Sequence, residues 1–296
     1  TPVSTPLSVW TSATERRHTP AAMKHRAPRT GPSLLLRLRR CGLAFLVAGV
    51  MPLHAAPPGE LEAKIKAAHY HAGMTADAPR FSIVIPHYDG SISDELLLRG
   101  LHSLATQTYR DFEILLYHDG PLTRPLPSLE WAKPHLRQVV VTEDRYNDWG
   151  HSLRDRGIRE ARGDFIVHFN PDNVLYPRAL AQIDAASRAP IPPVEDIGLR
   201  ENPDILIYAI LMRGMQSNGR VGAWRNRADT TKYLIYTGMP PILGAIDCMQ
   251  VVIKRAIWLE IGGWYDKCEV SDGKMYSKLI KERGARYISE VLGEHW

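Results

Sequence analysis

Two hydrophobic periods alternate along this chain from residue 81 onward, and that alternation constrains its fold more than any other feature. Phe81-Ser-Ile-Val-Ile-Pro86 is a short β-branched run that stops at a proline, as expected of a buried strand whose C-terminal end opens into a loop. From Asp94 to Gln107 apolar residues recur at Leu97, Leu101 and Leu104, a helical spacing. Phe112 to Tyr117 predicts a second strand, ending in His118-Asp119-Gly120; Val139 to Thr142 a third; Trp149 to Ala161 a helix; Phe165 to Phe169 a fourth strand. Strands alternating with helices imply an α/β fold with a mainly parallel central sheet flanked by helices. Ligands of such sheets bind beyond the carboxyl ends of the strands, where Asp89, Asp119, Asn170 and Asp172 fall. Asp and Asn also favour strand-ending turns, so each residue alone is ambiguous. Four together, after three separate strands, point to one crevice.

The net charge of +5 is misplaced for a nucleic-acid reader. Residues 1–50 carry eight Lys or Arg against Glu15 alone, so this segment is +7 and the remainder −2. Nucleic acid is set aside. The 44% hydrophobic content suits a globular core, and three widely spaced cysteines, Cys41, Cys248 and Cys268, give neither a metal knuckle nor a disulfide framework. Residues 1–74 read as a leader: basic residues up to Arg40, an apolar run from Cys41 to Leu53 that is short for a membrane span, then His54-Ala55-Ala56, which imitates a signal cleavage site. The chain begins at Thr1, and Met23, Met51 and Met74 are each plausible starts, so a non-native leader is an equal alternative. Residues 75–296 read as one domain, with 75–180 a nucleotide-binding half and 181–296 an acceptor-binding half. There is no Gly-x-Gly-x-x-Gly turn, no Gly-x-x-x-x-Gly-Lys loop and no His-Glu-x-x-His helix, which leaves dinucleotide-dependent redox chemistry, nucleotide hydrolysis of the P-loop kind and zinc proteolysis without support.

Taken in order, Ile85-Pro86-His87-Tyr88-Asp89, Leu104 to Ile114, His118-Asp119-Gly120, Leu153 to Ile158, Ala161 to Ile166, Phe169-Asn170-Pro171-Asp172-Asn173, Gly262-Gly263-Trp264 and Ser271-Asp272-Gly273 resemble the family 2 glycosyltransferases, which have the GT-A fold of nucleotide-diphospho-sugar transferases. The resemblance runs from Phe81 to His295. It implies transfer of a sugar from a nucleoside diphosphate, UDP by expectation, with inversion at the anomeric carbon.

By that resemblance Pro86, Tyr88, Asp89 and Asp119 hold the nucleotide and Arg154 reaches a phosphate oxygen. Asp172 ligates Mn²⁺ or Mg²⁺, which favour oxygen donors. Asn170 stands where the family usually has the first Asp of its metal motif, and His295 resembles the late histidine that completes the metal or diphosphate site in some members of this fold. Asp272 takes the place of the general base, with Asp266 and Glu269 as nearby substitutes; Ser271 precedes it where the family more often has a second acid. The two departures, Asn170 and Ser271, support an alternative, a catalytically inactive domain that binds a nucleotide or glycan.

Residues 191–244 leave the strand–helix pattern and are rich in aromatic, Arg and Gly residues, among them Trp224-Arg225, Tyr233 and Tyr236, the kind of surface that stacks on sugars. Met239-Pro-Pro-Ile-Leu243 suits a lipid-facing loop equally well. The expected partners are therefore a nucleotide-sugar donor and a glycan or lipid-linked acceptor, with peripheral membrane contact left open. Because activated sugars are made in the cytoplasm, the expected location is cytoplasmic, with or without membrane association.

Overall fold

The structure, a computed structural model, describes residues 78–191, 200–217, 223–226, 228–241 and 246–296. Strands β1 (Phe81–His87) and β2 (Phe112–His118) lie at the centre of the parallel half of the sheet, and every residue of both is buried. Side chains alternate across a strand, so the two faces serve different layers. Phe81, Ile83 and Ile85 of β1 pack with Ile114 and Leu116 of β2 and with Leu97, Leu101 and Leu104 of α1 (Asp94–Ala105). On the other face, Val84, Leu115 and Tyr117 pack with Leu153 and Ile158 of α2 (His151–Glu160). Burial on both faces is why these strands read as apolar runs rather than as alternation.

β3 (Leu136–Val141), β2, β1 and β4 (Phe165–His168) form the parallel arrangement that the alternation predicts. Beyond β4 the sheet is mixed. β10 (Val251–Lys254) runs antiparallel between β4 and β6 (Ile205–Arg213), β6 pairs in parallel with β11 (Arg286–His295), and β5 (Val174–Leu175) and β9 (Tyr233–Tyr236) add antiparallel edges. Residues 191–244 therefore do not abandon regular structure as the composition implied. Ile205–Arg213 is a nine-residue strand, six of whose residues are buried in succession. A short antiparallel pair, β7 (Met215–Ser217) with β8 (Ala223–Arg225), follows it. The remaining helices are α3 (Ala179–Arg188), α4 (Arg255–Glu260) and α5 (Ser271–Arg283).

Helix α1 is fastened to the loop that follows β4. Arg99 Nη2 donates to the carbonyl of Asp172 at 2.9 Å, Ser103 Oγ accepts from the Leu175 amide at 3.1 Å, and Gln107 Nε2 donates to the Tyr176 carbonyl at 2.8 Å. Gly100 makes the approach possible: a Cβ there would stand 2.2 Å from the Pro171 carbonyl oxygen. Arg99 also lies over the Trp296 ring at 4.1 Å, which ties the loop carrying Asp172 to the end of β11.

Candidate functional site

A cavity of about 690 Å³ opens at the carboxyl ends of β1, β2 and β4. Its lining includes Pro86, Tyr88, Asp119, Arg154, Asn170, Asp172, Asp272 and His295, so eight of the nine residues singled out in the sequence meet in one place. Asp89 is the one that does not line it. Its Oδ2 accepts from the Thr123 amide (2.7 Å), the Thr123 hydroxyl (2.9 Å) and the Arg124 amide (3.3 Å), which pins the segment after β2 behind the wall. Burial pushes this carboxyl up, but those hydrogen bonds and neighbouring His118 outweigh it and hold the pKa at about 2. His118 donates through Nδ1 to the Gly120 carbonyl (2.7 Å), and its Nε2 lies 3.3 Å from both the Asp89 amide nitrogen and Asp89 Oδ1.

Asp119 faces the cavity with both oxygens engaged: Oδ1 accepts from the Tyr146 amide (2.8 Å), Oδ2 from the Asn147 amide (3.1 Å), and Arg145 Nε lies 3.6 Å away. The Arg145 guanidinium in turn covers the Tyr88 ring at 3.5 Å. The loop so anchored has left-handed backbone at Asn147, Trp149 and Gly150, and sparsely populated backbone of this kind is the sort that clusters at ligand sites.

Arg154, on α2, is 4% exposed and still lines the cavity. Nη1 donates to the Trp149 carbonyl (2.8 Å) and Nη2 to Asn170 Oδ1 (2.6 Å), with Cys248 Sγ at 3.6 Å. Asn170 is thus committed to a guanidinium. His295 is also engaged at both ring nitrogens: Nδ1 makes an ion-pair contact with Asp247 Oδ2 at 3.1 Å, and Nε2 lies 3.1 Å from Arg225 Nη1. Burial lowers the His295 pKa, but the charge of Asp247, the hydrogen bond to it and the charge of Asp172 prevail and raise it. Of the three residues expected to ligate metal, only Asp172 has an uncommitted side-chain donor. Among the described residues no group of three His, Cys, Asp or Glu side chains is placed to hold a metal ion. The donor set therefore does not fit a resident divalent cation held by Asp172, Asn170 and His295 together.

Asp272 opens α5, where its Oδ1 accepts from the Gly273 amide (2.7 Å). Burial and the charge of Asp247 raise its pKa, against the pull of that hydrogen bond and of Arg154. Ser271, where the family more often has an acid, is fully buried: its Oγ accepts from Trp264 Nε1 (2.9 Å) and lies 3.1 Å from His151 Nε2. The His151 ring stacks on Trp264 at 5.3 Å, and burial followed by the charge of Arg154 lowers its pKa to about 4. This serine, histidine and tryptophan fasten the start of α5, and hence Asp272, to the start of α2.

Three cavity groups escaped the sequence reading. Asp247 caps a single 3-10 turn, and only its own spacing to Gln250 in a capping box marks it in the sequence. His87, at the end of β1, is buried with both ring nitrogens unpartnered. His151 carries no motif at all, because its role arises from α2 and α5 meeting in space.

Compared with known proteins, residues 82–188 match the glycosyl transferase family 2 model. The O-antigen biosynthesis protein RfbC of Myxococcus xanthus is 24% identical over 205 residues, 68% of this chain and 14% of that protein. A PGL/p-HBAD biosynthesis glycosyltransferase of Mycobacterium tuberculosis is 26% identical over 136 residues, 46% of this chain and 48% of that protein. Among solved structures, S. aureus TarS 1–349 in complex with UDP-GlcNAc superposes with a TM-score of 0.51 at 15% identity, covering 73% of this chain and 58% of that one. The chain thus spans less than two thirds of the length of these proteins. With the parallel half-sheet, the strand-end cavity and the matched segment in agreement, residues 82–188 carry the glycosyl transferase family 2 pattern and the chain has the GT-A fold.

Proposed function

We propose that this protein transfers a sugar from a nucleoside-diphosphate sugar, UDP-linked, to a hydroxyl of a glycan or lipid-linked acceptor, with inversion at the anomeric carbon. The observation that carries the reading is the cavity itself, which joins the strand-end residues of the donor half to Asp272 at the start of α5. In the reaction the Asp272 carboxylate takes the proton of the acceptor hydroxyl, the oxygen attacks the anomeric carbon on the face opposite the diphosphate, and the bond to the diphosphate breaks with its electron pair leaving on the nucleotide. Asp119 and Tyr88 suit the nucleoside, and Arg154 suits the diphosphate, because a buried guanidinium gains most from an anionic partner. The biosynthetic roles named for the O-antigen and PGL/p-HBAD relatives support the acceptor class. No helix among the described residues is long and apolar enough to cross a membrane. Ile242 and Leu243, the end of the segment read as lipid-facing, lie outside those described. A cytoplasmic location, where the donor is made, is part of the same proposal.

The test is a panel of UDP-sugars, with and without candidate acceptors, assayed for UDP release. Release that is lost in Asp272→Asn while UDP still binds supports the transferase. UDP binding with no release from any donor would instead support a binding domain, a reading favoured by the commitment of both Asn170 and Ser271 to internal hydrogen bonds.

A further inference from the structure

Arg154 is a buried cation with no anion in hydrogen-bond contact among the described residues. It is 4% exposed, and its contacts are the Trp149 carbonyl, the Asn170 amide oxygen and the Cys248 sulfur, all neutral. It forms no ion pair among the described residues, and its Nε has no partner. Of the other charges at the cavity, Asp119 is matched by Arg145 and two backbone amides and Asp247 by His295, while Asp247 and Asp272 feel Arg154 only through space. Burying an unpaired charge is costly, so a guanidinium held this way and facing a cavity is built for an anion that arrives from outside.

The residue that keeps it unpaired is Asn170. Its Oδ1 sits 2.6 Å from Nη2. A carboxylate in the same place would make a charge-assisted pair with Arg154 and cancel its charge before any ligand entered. The amide gives the guanidinium the same orientation and leaves its charge intact.

Resting on the nucleotide-sugar reading, we propose that Asn170 is a charge-preserving positioning residue, and that Arg154 neutralises the donor diphosphate here in place of a divalent cation. The exchange of acid for amide is then an adaptation of the site, coherent with a donor set in which Asp172 alone is uncommitted. UDP should bind without added metal.

The experiment is calorimetric titration of UDP and of uridine into the full chain, in EDTA and in Mn²⁺, for the wild type, Asn170→Asp and Asn170→Ser. The wild type is expected to bind UDP in EDTA with an affinity within about threefold of that in Mn²⁺. Asn170→Asp should lose on the order of 10- to 100-fold in UDP affinity in EDTA, the scale of one charged hydrogen bond, recover much of it with Mn²⁺, and bind uridine unchanged. Asn170→Ser, which withdraws the amide oxygen from Arg154 without adding charge, should lose less and gain no dependence on Mn²⁺; it keeps the inference testable if the aspartate variant does not fold. Wild-type binding that requires Mn²⁺, a serine variant that acquires that requirement, or an aspartate variant whose loss is as large for uridine as for UDP, would overturn the proposal and leave the transferase reading standing. No binding of UDP or any other nucleoside diphosphate in either condition would overturn both.

Discussion

At the scale of single residues, the site is organised by how each charge is answered. Asp272 is the carboxylate whose pKa burial and Asp247 push up, while its Oδ1 accepts from the neighbouring Gly273 amide. A base works only when deprotonated, so turnover should fall as pH drops through that raised value. The acid limb of the rate profile is expected above the ordinary aspartate value of about 3.9, and Asp272→Asn should reduce turnover by about 100-fold or more with UDP affinity kept, measured by product release and calorimetry. Asp89 behaves oppositely. Its depressed pKa stabilises the fold fully above the unfolded value of about 3.9, and that contribution is lost as pH falls toward about 2. Urea titrations should therefore show Asp89→Asn less stable than the wild type at pH 7, by about 1–3 kcal/mol for the lost hydrogen bonds, with the gap narrowing in acid. Most of the cavity was legible in the sequence, because strand ends and their polar residues are local features. Asp89 is absent from the cavity lining because the sequence marks the loop after β1 but not which way its side chains turn.

The elements explain why those residues meet. α1 is both a core helix and the support of the loop carrying Asn170 and Asp172, through Arg99 and Ser103, with Gln107 just past its end. Adding a methyl at Gly100 improves helix propensity by about 1 kcal/mol, yet it would place carbon 2.2 Å from the Pro171 carbonyl oxygen. The clash should win. Gly100→Ala is expected to lower the thermal midpoint and, by displacing that loop, to weaken UDP binding, both read on the purified variant. The parallel strands were legible since burial on both faces leaves an unbroken apolar run. Ile205–Arg213 is an equally apolar run, but the aromatic and glycine-rich residues around it suggested an acceptor surface, and among the described residues no α-helix follows it before β10 to continue the alternation. β3 begins at Leu136, three residues before the sequence marks it, because as a partly exposed strand it alternates and its first residues look polar.

For the whole molecule, the segment that carries the family match is not a unit that can stand alone. β4 is bonded to β1 on one side and to β10, some 85 residues later in sequence, on the other. One core layer holds Phe81, Ile83 and Leu101 together with Leu206, Tyr208, Ile210, Ile288 and Leu292. The division into nucleotide and acceptor halves describes the cavity's two walls, not two folding units. Residues 78–191 expressed by themselves should thus lack cooperative unfolding and expose apolar surface, as seen by circular dichroism and dye binding, whereas residues 78–296 should unfold in one transition.

Trp264 gives the protein an optical readout of its own site. The indole is fully buried yet borders the cavity, hydrogen-bonded to Ser271, stacked on His151 and crossed by Arg154 at 5.4 Å. An anion drawn to Arg154 would alter the electric field across that ring. Emission excited at the red edge of tryptophan absorption, where nucleotides are transparent, should shift as donor binds, so occupancy could be followed in real time without a label and the signal would vanish in Trp264→Phe.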